Sequence, residues 1–241
     1  MRAALLIARR ELSGYLVTFS GYVIIAAMLG LDALMFNAWA IGEGSKRSAE
    51  VLSQFFYLTF GTTLVASIFI SMRLLAEERQ TGTLALLYSS PVKDAEIVLG
   101  KFLSGLAFLI LFLASTAFMP ALIFVNGKVS LGQIAAGYLG LVLVGSACLA
   151  IGVFGSALAK SQIIAAISSA CMVVALLICW LLSRVTERPL KEIFKSLALY
   201  QDHFPPFQQG LIHIRDVVYY LALTYVALFA ATRVLEARRW R

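Results

Sequence analysis

The sequence is poor in charge: Asp, Glu, Lys and Arg make up 14% of its 241 residues, against 61% hydrophobic residues. Mean hydropathy is +0.88. So little polar surface cannot coat a water-soluble globule of this size, which leaves an integral membrane protein. Cysteine is scarce as well. Cys148, Cys171 and Cys179 lie inside apolar runs without C-x-x-C spacing, which excludes a disulfide framework or zinc cage and leaves small packing residues. The two histidines, His203 and His213, lack metal-ligand spacing, and there is no G-x-S-x-G elbow, so no catalytic constellation is present. There is no G-x-x-x-x-G-K-[ST] phosphate loop, so the chain itself binds neither nucleotide by that route nor any other recognisable cofactor. Any energy source must be another polypeptide or an ion gradient. The net charge of +7 does not indicate nucleic acid, because lysine and arginine gather at the ends of apolar blocks, where they orient a membrane protein.

What is present is a series of apolar blocks. A hydrocarbon core about 30 Å thick requires roughly 20 apolar residues in a helix. Six stretches qualify: Phe19 to Trp39, Val51 to Met72, Phe102 to Val125, Ile134 to Ala159, Ile163 to Leu182 and a short one, Val217 to Thr232, which must draw length from its flanks. The expected fold class is an all-α polytopic membrane protein formed as a single domain over residues 1–241. Before the first span, residues 1–14 alternate Arg2, Arg9, Arg10 and Glu11 with Leu5, Leu6, Ile7 and Leu12, the pattern of a helix lying in the membrane interface. The apolar run behind them is too long for a cleavable signal, so the first helix is expected to be retained. Pro120 is expected to kink the third span near its outer end. In the fourth span Gly145, Cys148, Gly152, Ser156 and Ala159 form a narrow face of small residues, suited to close helix packing. Lys160, Ser161 and Gln162 leave room only for a tight hairpin into the fifth span.

Residues 183–216 are neither apolar enough to span nor polar enough to be simply solvated. Charged residues from Arg184 to Lys195 alternate with Leu190, Ile193, Phe194 and Leu197, so two short interfacial helices or a re-entrant hairpin are expected, with Pro205 and Pro206 as the break. Most of the 20 lysines and arginines fall on the side that would hold both termini, which places the termini in the cytoplasm. Asp32 is the one acid well inside a span. It is either a cavity-lining, proton-sensitive group or a carboxylate paired by neighbouring helices, and the second reading is favoured.

In the first two thirds of the sequence the only long polar, charge-dense segment between apolar blocks is residues 77–101, EERQTGTLALLYSSPVKDAEIVLGK. Thr81 or Thr83 can cap a helix there, Ser90-Pro91 ends it, and Leu84 and Leu87 share a face that suits either a groove on a soluble subunit or lipid headgroups.

This segment resembles the E-E-x-x-G-T-L-x-x-L-L-x-S-P-V…I-V-x-G-K stretch of ABC-2 type permeases, the membrane subunits of ATP-driven exporters. Glu77, Glu78, Gly82, Thr83, Leu84, Leu87, Ser90, Pro91, Val92, Ile97, Val98, Gly100 and Lys101 fall in register. The C-terminal stretch, with Gly210, Ile212, Arg215, Asp216, Val217, Val218, Tyr219 and Arg238-Arg239-Trp240, is similar to the end of permeases of the gliding-motility exporter group. Ala85 and His213 depart from the pattern, each standing where an acid is expected. The resemblance implies a non-catalytic half-transporter of the bacterial inner membrane, with two copies of the permease, or this chain and a homologous one, embedded in membrane lipid. Two ABC ATPase subunits would carry the ATP and Mg. It assigns Glu77, Glu78, Gly82, Thr83, Leu84, Leu87, Ser90 and Pro91 to ATPase coupling, and Arg215 and Asp216 to a gate in the outer segment 183–216. An auxiliary periplasmic protein is a further partner it admits. A membrane scaffold or assembly factor driven by the same ATPase, without solute transport, and an ion-coupled carrier are the competing readings; the substrate is not legible.

Overall fold

In a membrane every backbone N–H and C=O must be satisfied within the protein, so long apolar stretches fold as helices. The computed structural model describes residues 2–41, 47–83, 92–126, 129–187 and 189–239. Its helices are α1 (Arg2–Val17), α2 (Phe19–Met35, continuing into a π-helical turn over Phe36–Ile41), α3 (Ser48–Leu74), α4 (Ala76–Gln80), α5 (Asp94–Thr116), α6 (Phe118–Asn126), α7 (Leu131–Leu158), α8 (Gln162–Val185), α9 (Leu190–Leu197), α10 (Pro205–Gln208) and α11 (Ile214–Arg239). Among the described residues there is no strand. Six stretches are long and apolar enough to cross a membrane: Gly21–Trp39, Ser48–Gln80, Asp94–Phe124, Leu131–Leu158, Gln162–Val185 and Ile214–Arg238. They coincide with the six expected spans, and the last gains length at both flanks.

The hub is α7, which packs against α3, α5, α8 and α11. Of its most apolar stretch 83% is buried, against 22% for the outlying spans in α2, α8 and α11. Its small residues make that position possible. A Cβ on Gly145 would lie 2.5 Å from Leu109, one on Gly152 would clash with the Ser71 hydroxyl, and Gly155 faces Ser169. The stripe is therefore ordinary close packing within one chain. The hairpin from α7 to α8 turns over residues 159–161, with the Ser161 hydroxyl accepting from Ile164 N at 3.4 Å.

Prolines act in two ways. The third span breaks at Ala117, between α5 and α6, three residues before Pro120, because the proline ring crowds the carbonyl one turn back. Pro205 and Pro206, expected to break a helix, instead occupy the first turn of α10. Their fixed φ is pre-set for a helix start, where no N–H is needed. The break lies earlier, at Ala198, whose backbone is extended.

The two ends of α7 define the two ends of the bundle. Near its start Gln133 Nε2 donates to the Gln208 carbonyl at 2.8 Å. Near its finish the Ser156 hydroxyl accepts from Leu75 N at 3.1 Å and Ala76 N at 2.9 Å, seating the start of α4. The rise of a helix puts these anchors about 35 Å apart, so α9–α10 and α4 lie at opposite ends.

Candidate functional site

At the α4 end, charged side chains are drawn inward by one buried cation. Lys101, only 1% exposed, lies on α5 where that helix emerges from its apolar stretch. Its Nζ is 2.9 Å from Glu78 Oε1 and 3.5 Å from Glu11 Oε1. Arg10 adds contacts to Glu11 at 3.2 Å and Glu78 at 3.8 Å. A lysine this deep needs carboxylates around it, since burial of an unpaired charge costs several kcal/mol. Three separate segments, α1, α4 and α5, therefore meet at one ammonium. The approach of α1 to α5 depends on Gly100, where a Cβ would stand 2.8 Å from the Ala4 carbonyl.

Alongside this knot, Arg73 grips Glu77 with two bonds, Nε to Oε2 at 2.9 Å and a second N–H to Oε1 at 3.1 Å. Arg73 also stands over the Tyr15 ring, 5.7 Å from its centroid. The Tyr15 hydroxyl donates to the Ile70 carbonyl at 3.1 Å, and burial raises its phenol far above the ordinary range, so it stays a donor. Glu77 and Glu78 are thus committed to pairs within the chain at the root of the 77–101 segment. Gly82 has φ +76, a left-handed turn that favours glycine. Thr81 and Thr83 bond back to the end of α4: Thr81 Oγ1 donates to the Glu77 carbonyl at 2.9 Å and Thr83 Oγ1 to that of Glu78 at 3.3 Å. The helix start expected after them lies outside the described residues. Leu84, Leu87, Ser90 and Pro91 lie outside the described residues.

At the other end the sequence pointed to Arg215 and Asp216 but not to their partner. Asp216 is fully buried, and His203 Nδ1 lies 2.7 Å from its Oδ1. His203 Nε2 lies 3.2 Å from the Ser196 carbonyl. The ring thus bridges the Asp216 carboxylate on α11 and the Ser196 carbonyl on α9. The imidazole stacks on Tyr219 at 3.9 Å. Tyr219 and Tyr220 donate to the carbonyls of Leu197 and Leu199 at 2.9 and 2.8 Å. Together these bonds lash α9 and the turn after it to the first two turns of α11. Arg215, by contrast, is exposed at the rim, with Nε 3.3 Å from Asp216 Oδ1.

Asp32 is 2% exposed, and its Oδ1 accepts from Thr62 Oγ1 at 2.8 Å, so the carboxylate fastens α2 to α3. Its Oδ2 has no partner among the described residues, and neither does Thr59 Oγ1, one turn from Thr62. Asp32→Asn keeps an acceptor for Thr62 and removes a buried charge, so unchanged transport from pH 5 to 8 and an unchanged or higher melting temperature are expected. Lost transport in a folded Asp32→Asn protein would instead make the carboxylate functional.

Between α3 and α8 lies a cavity of about 390 Å³, lined by Tyr57, Phe60, Gly61, Leu64, Leu177, Trp180 and Tyr200 among others. Ring pairs Tyr57–Tyr200 and Phe60–Tyr200, at 5.5 and 4.9 Å, build one wall. Such a lining suits apolar or amphipathic molecules.

A family model described as ABC-2 family transporter protein matches residues 22–236. No match is found among curated proteins. The matched stretch runs from the first span to the last turns of α11 and contains Lys101 and Glu78 of the knot, the α3–α8 cavity and the His203–Asp216 lashing, while Glu11 and Arg10 on α1 precede it. The chain belongs to the ABC-2 transporter family, and with its six membrane-spanning helices it is a multi-pass permease component of an ABC transporter.

Proposed function

We propose that this chain is the export permease of an ABC transporter, working as a pair of permeases over two separate ATPase subunits that hold the ATP and Mg. Both termini and residues 77–101 lie on the cytoplasmic side of the bacterial inner membrane in this reading. The carrying observation is the Lys101 knot, because it joins the root of the 77–101 segment to two membrane-associated helices through buried ion pairs. A push on that segment would then move α5 and α1 as a unit. The exposed turn at Gly82 and Thr83 and the apolar face of Leu84 and Leu87 would meet the ATPase. Glu77 and Glu78 would brace the segment from behind. At the other end, Arg215 and Asp216 would support the gate, with His203 as the residue that fixes Asp216. The aromatic cavity between α3 and α8 favours a moved solute over a purely mechanical scaffold and would present an apolar or amphipathic cargo with a contact surface.

Leu87→Arg tests the docking. A charge forced into an apolar groove is expected to weaken ATPase association by about 3 kcal/mol, roughly a hundredfold. Co-purification of the two subunits and cargo-stimulated ATP hydrolysis measure it. Normal co-purification together with normal hydrolysis would refute docking through this face.

A further inference from the structure

A cleft of about 440 Å³ opens between α9 and α11 at the end of the bundle opposite α4. We propose that it binds the headgroup of a zwitterionic phospholipid, with the phosphate on Lys195 and Arg215 and the amine on Asp202 and Glu192. The site lies at the end of the bundle opposite the ATPase docking face.

The rim carries both signs. Lys195 and Arg215 expose 61% and 73% of their side chains. Asp202 faces Lys195 across 3.9 Å, at the limit of an ion pair, so a ligand can part the two with little loss. Arg215 reaches Asp216 at 3.3 Å and the Asp202 carbonyl at 3.4 Å, both long. Its other guanidinium N–H groups have no acceptor among the described residues. That fork matches the oxygens of a phosphate. A purely anionic ligand would meet Asp202 and Glu192 at the same rim, and a purely cationic one would meet Lys195 and Arg215. A ligand with a phosphate and a primary amine satisfies both signs.

The floor is closed by side chains that already have partners. His203 Nδ1 lies 2.7 Å from Asp216 Oδ1, and the imidazole is covered by the Tyr219 ring. At its lower edge the cleft is lined by Val218 and Ala222. Val218 is 56% exposed and heads a run of exposed apolar residues down α11, through Leu221, Tyr225 and Val226 to Phe229. Acyl chains can lie on that face while the headgroup stays in the cleft. The cleft also sits where the apolar stretch of α11 begins, the depth of headgroups in a bilayer.

The test is native mass spectrometry of the full-length protein, delipidated in detergent and offered equal amounts of phosphatidylethanolamine, phosphatidylglycerol and phosphatidylcholine with identical chains. Phosphatidylethanolamine is expected to be retained about tenfold over the other two, because only it offers both a phosphate and an amine with N–H donors. Asp202→Asn with Glu192→Gln should erase that preference while leaving total lipid binding in place. Lys195→Gln with Arg215→Gln should lower retention of all three. All four positions are on the rim, and an unchanged melting temperature in each double variant confirms that the fold is intact. Equal retention of the three lipids, or a preference that survives both double variants, would overturn the proposal. Equally tight binding of water-soluble glycerophosphoethanolamine would overturn the assignment to a lipid.

Discussion

Lys101→Met is expected to destabilise the folded permease by about 3–5 kcal/mol and to uncouple it from its ATPase, because it leaves two carboxylates facing each other with their buried cation gone. Glu78 and Glu11 keep side-chain exposures of only 13% and 21%, so solvent cannot replace the ammonium. Arg10, itself largely exposed and 3.8 Å from Glu78, compensates only in part. Two measurements separate stability from coupling. The melting temperature should fall in Lys101→Met and recover when Glu11→Gln and Glu78→Gln are added, since removing a whole buried ion cluster costs far less than orphaning half of it. Cargo-stimulated ATP hydrolysis should stay low in the triple variant, because α1, α4 and α5 are no longer joined by charge. A single variant that melts like the wild type would show that Lys101 is not the cation holding these segments together.

The second large effect is expected at Gly152. A Cβ there would clash with the Ser71 side chain, and Ser71 is fully buried on α3. Gly152→Val must therefore drive α3 and α7 apart. Overpacking ordinarily costs about 1–3 kcal/mol, and more where helix backbones have to separate. Because α7 touches α3, α5, α8 and α11, the displacement reaches most of the bundle. A sharp loss of monodisperse protein in detergent, with a collapsed melting transition, is the expected result. Gly30→Ala is the matched control: a Cβ at Gly30 meets nothing within 4 Å. There the gain in helix propensity, about 0.5–1 kcal/mol, is expected to leave stability unchanged or slightly raised. If both variants melt alike, close packing at Gly152 is not what positions the hub.

Hydrophobic length alone revealed the six spans, because a lipid-spanning segment must be both apolar and about 20 residues long, and both properties are local. Small residues at three- and four-residue steps likewise announced the packing face of α7. The alternation of charges with Leu190, Ile193 and Leu197 announced α9, whose apolar side chains are indeed exposed. Local signals were less dependable where a residue has two uses. Pro205 and Pro206 suit a helix start as well as a stop. The family pattern drew attention to Glu77, Glu78, Arg215 and Asp216, but said nothing of what these side chains face.

That missing knowledge is what the tertiary structure supplied. A lysine next to Gly100 at the head of an apolar run is a visible oddity in the sequence, yet its partners, Glu11 and Glu78, lie far away along the chain in separate helices. His203 was passed over because no second metal ligand stands at a regular spacing from it. Its significance comes from Asp216, thirteen residues on, which is brought to its ring only by the fold of α9, the turn and α10. The sequence by itself determined the membrane solvent, the number of spans and the residues small enough for close approach, since each of these depends on composition within one segment. Only the tertiary structure decided which charges are buried against which, because an ion pair depends on distances between segments, and those are set by packing.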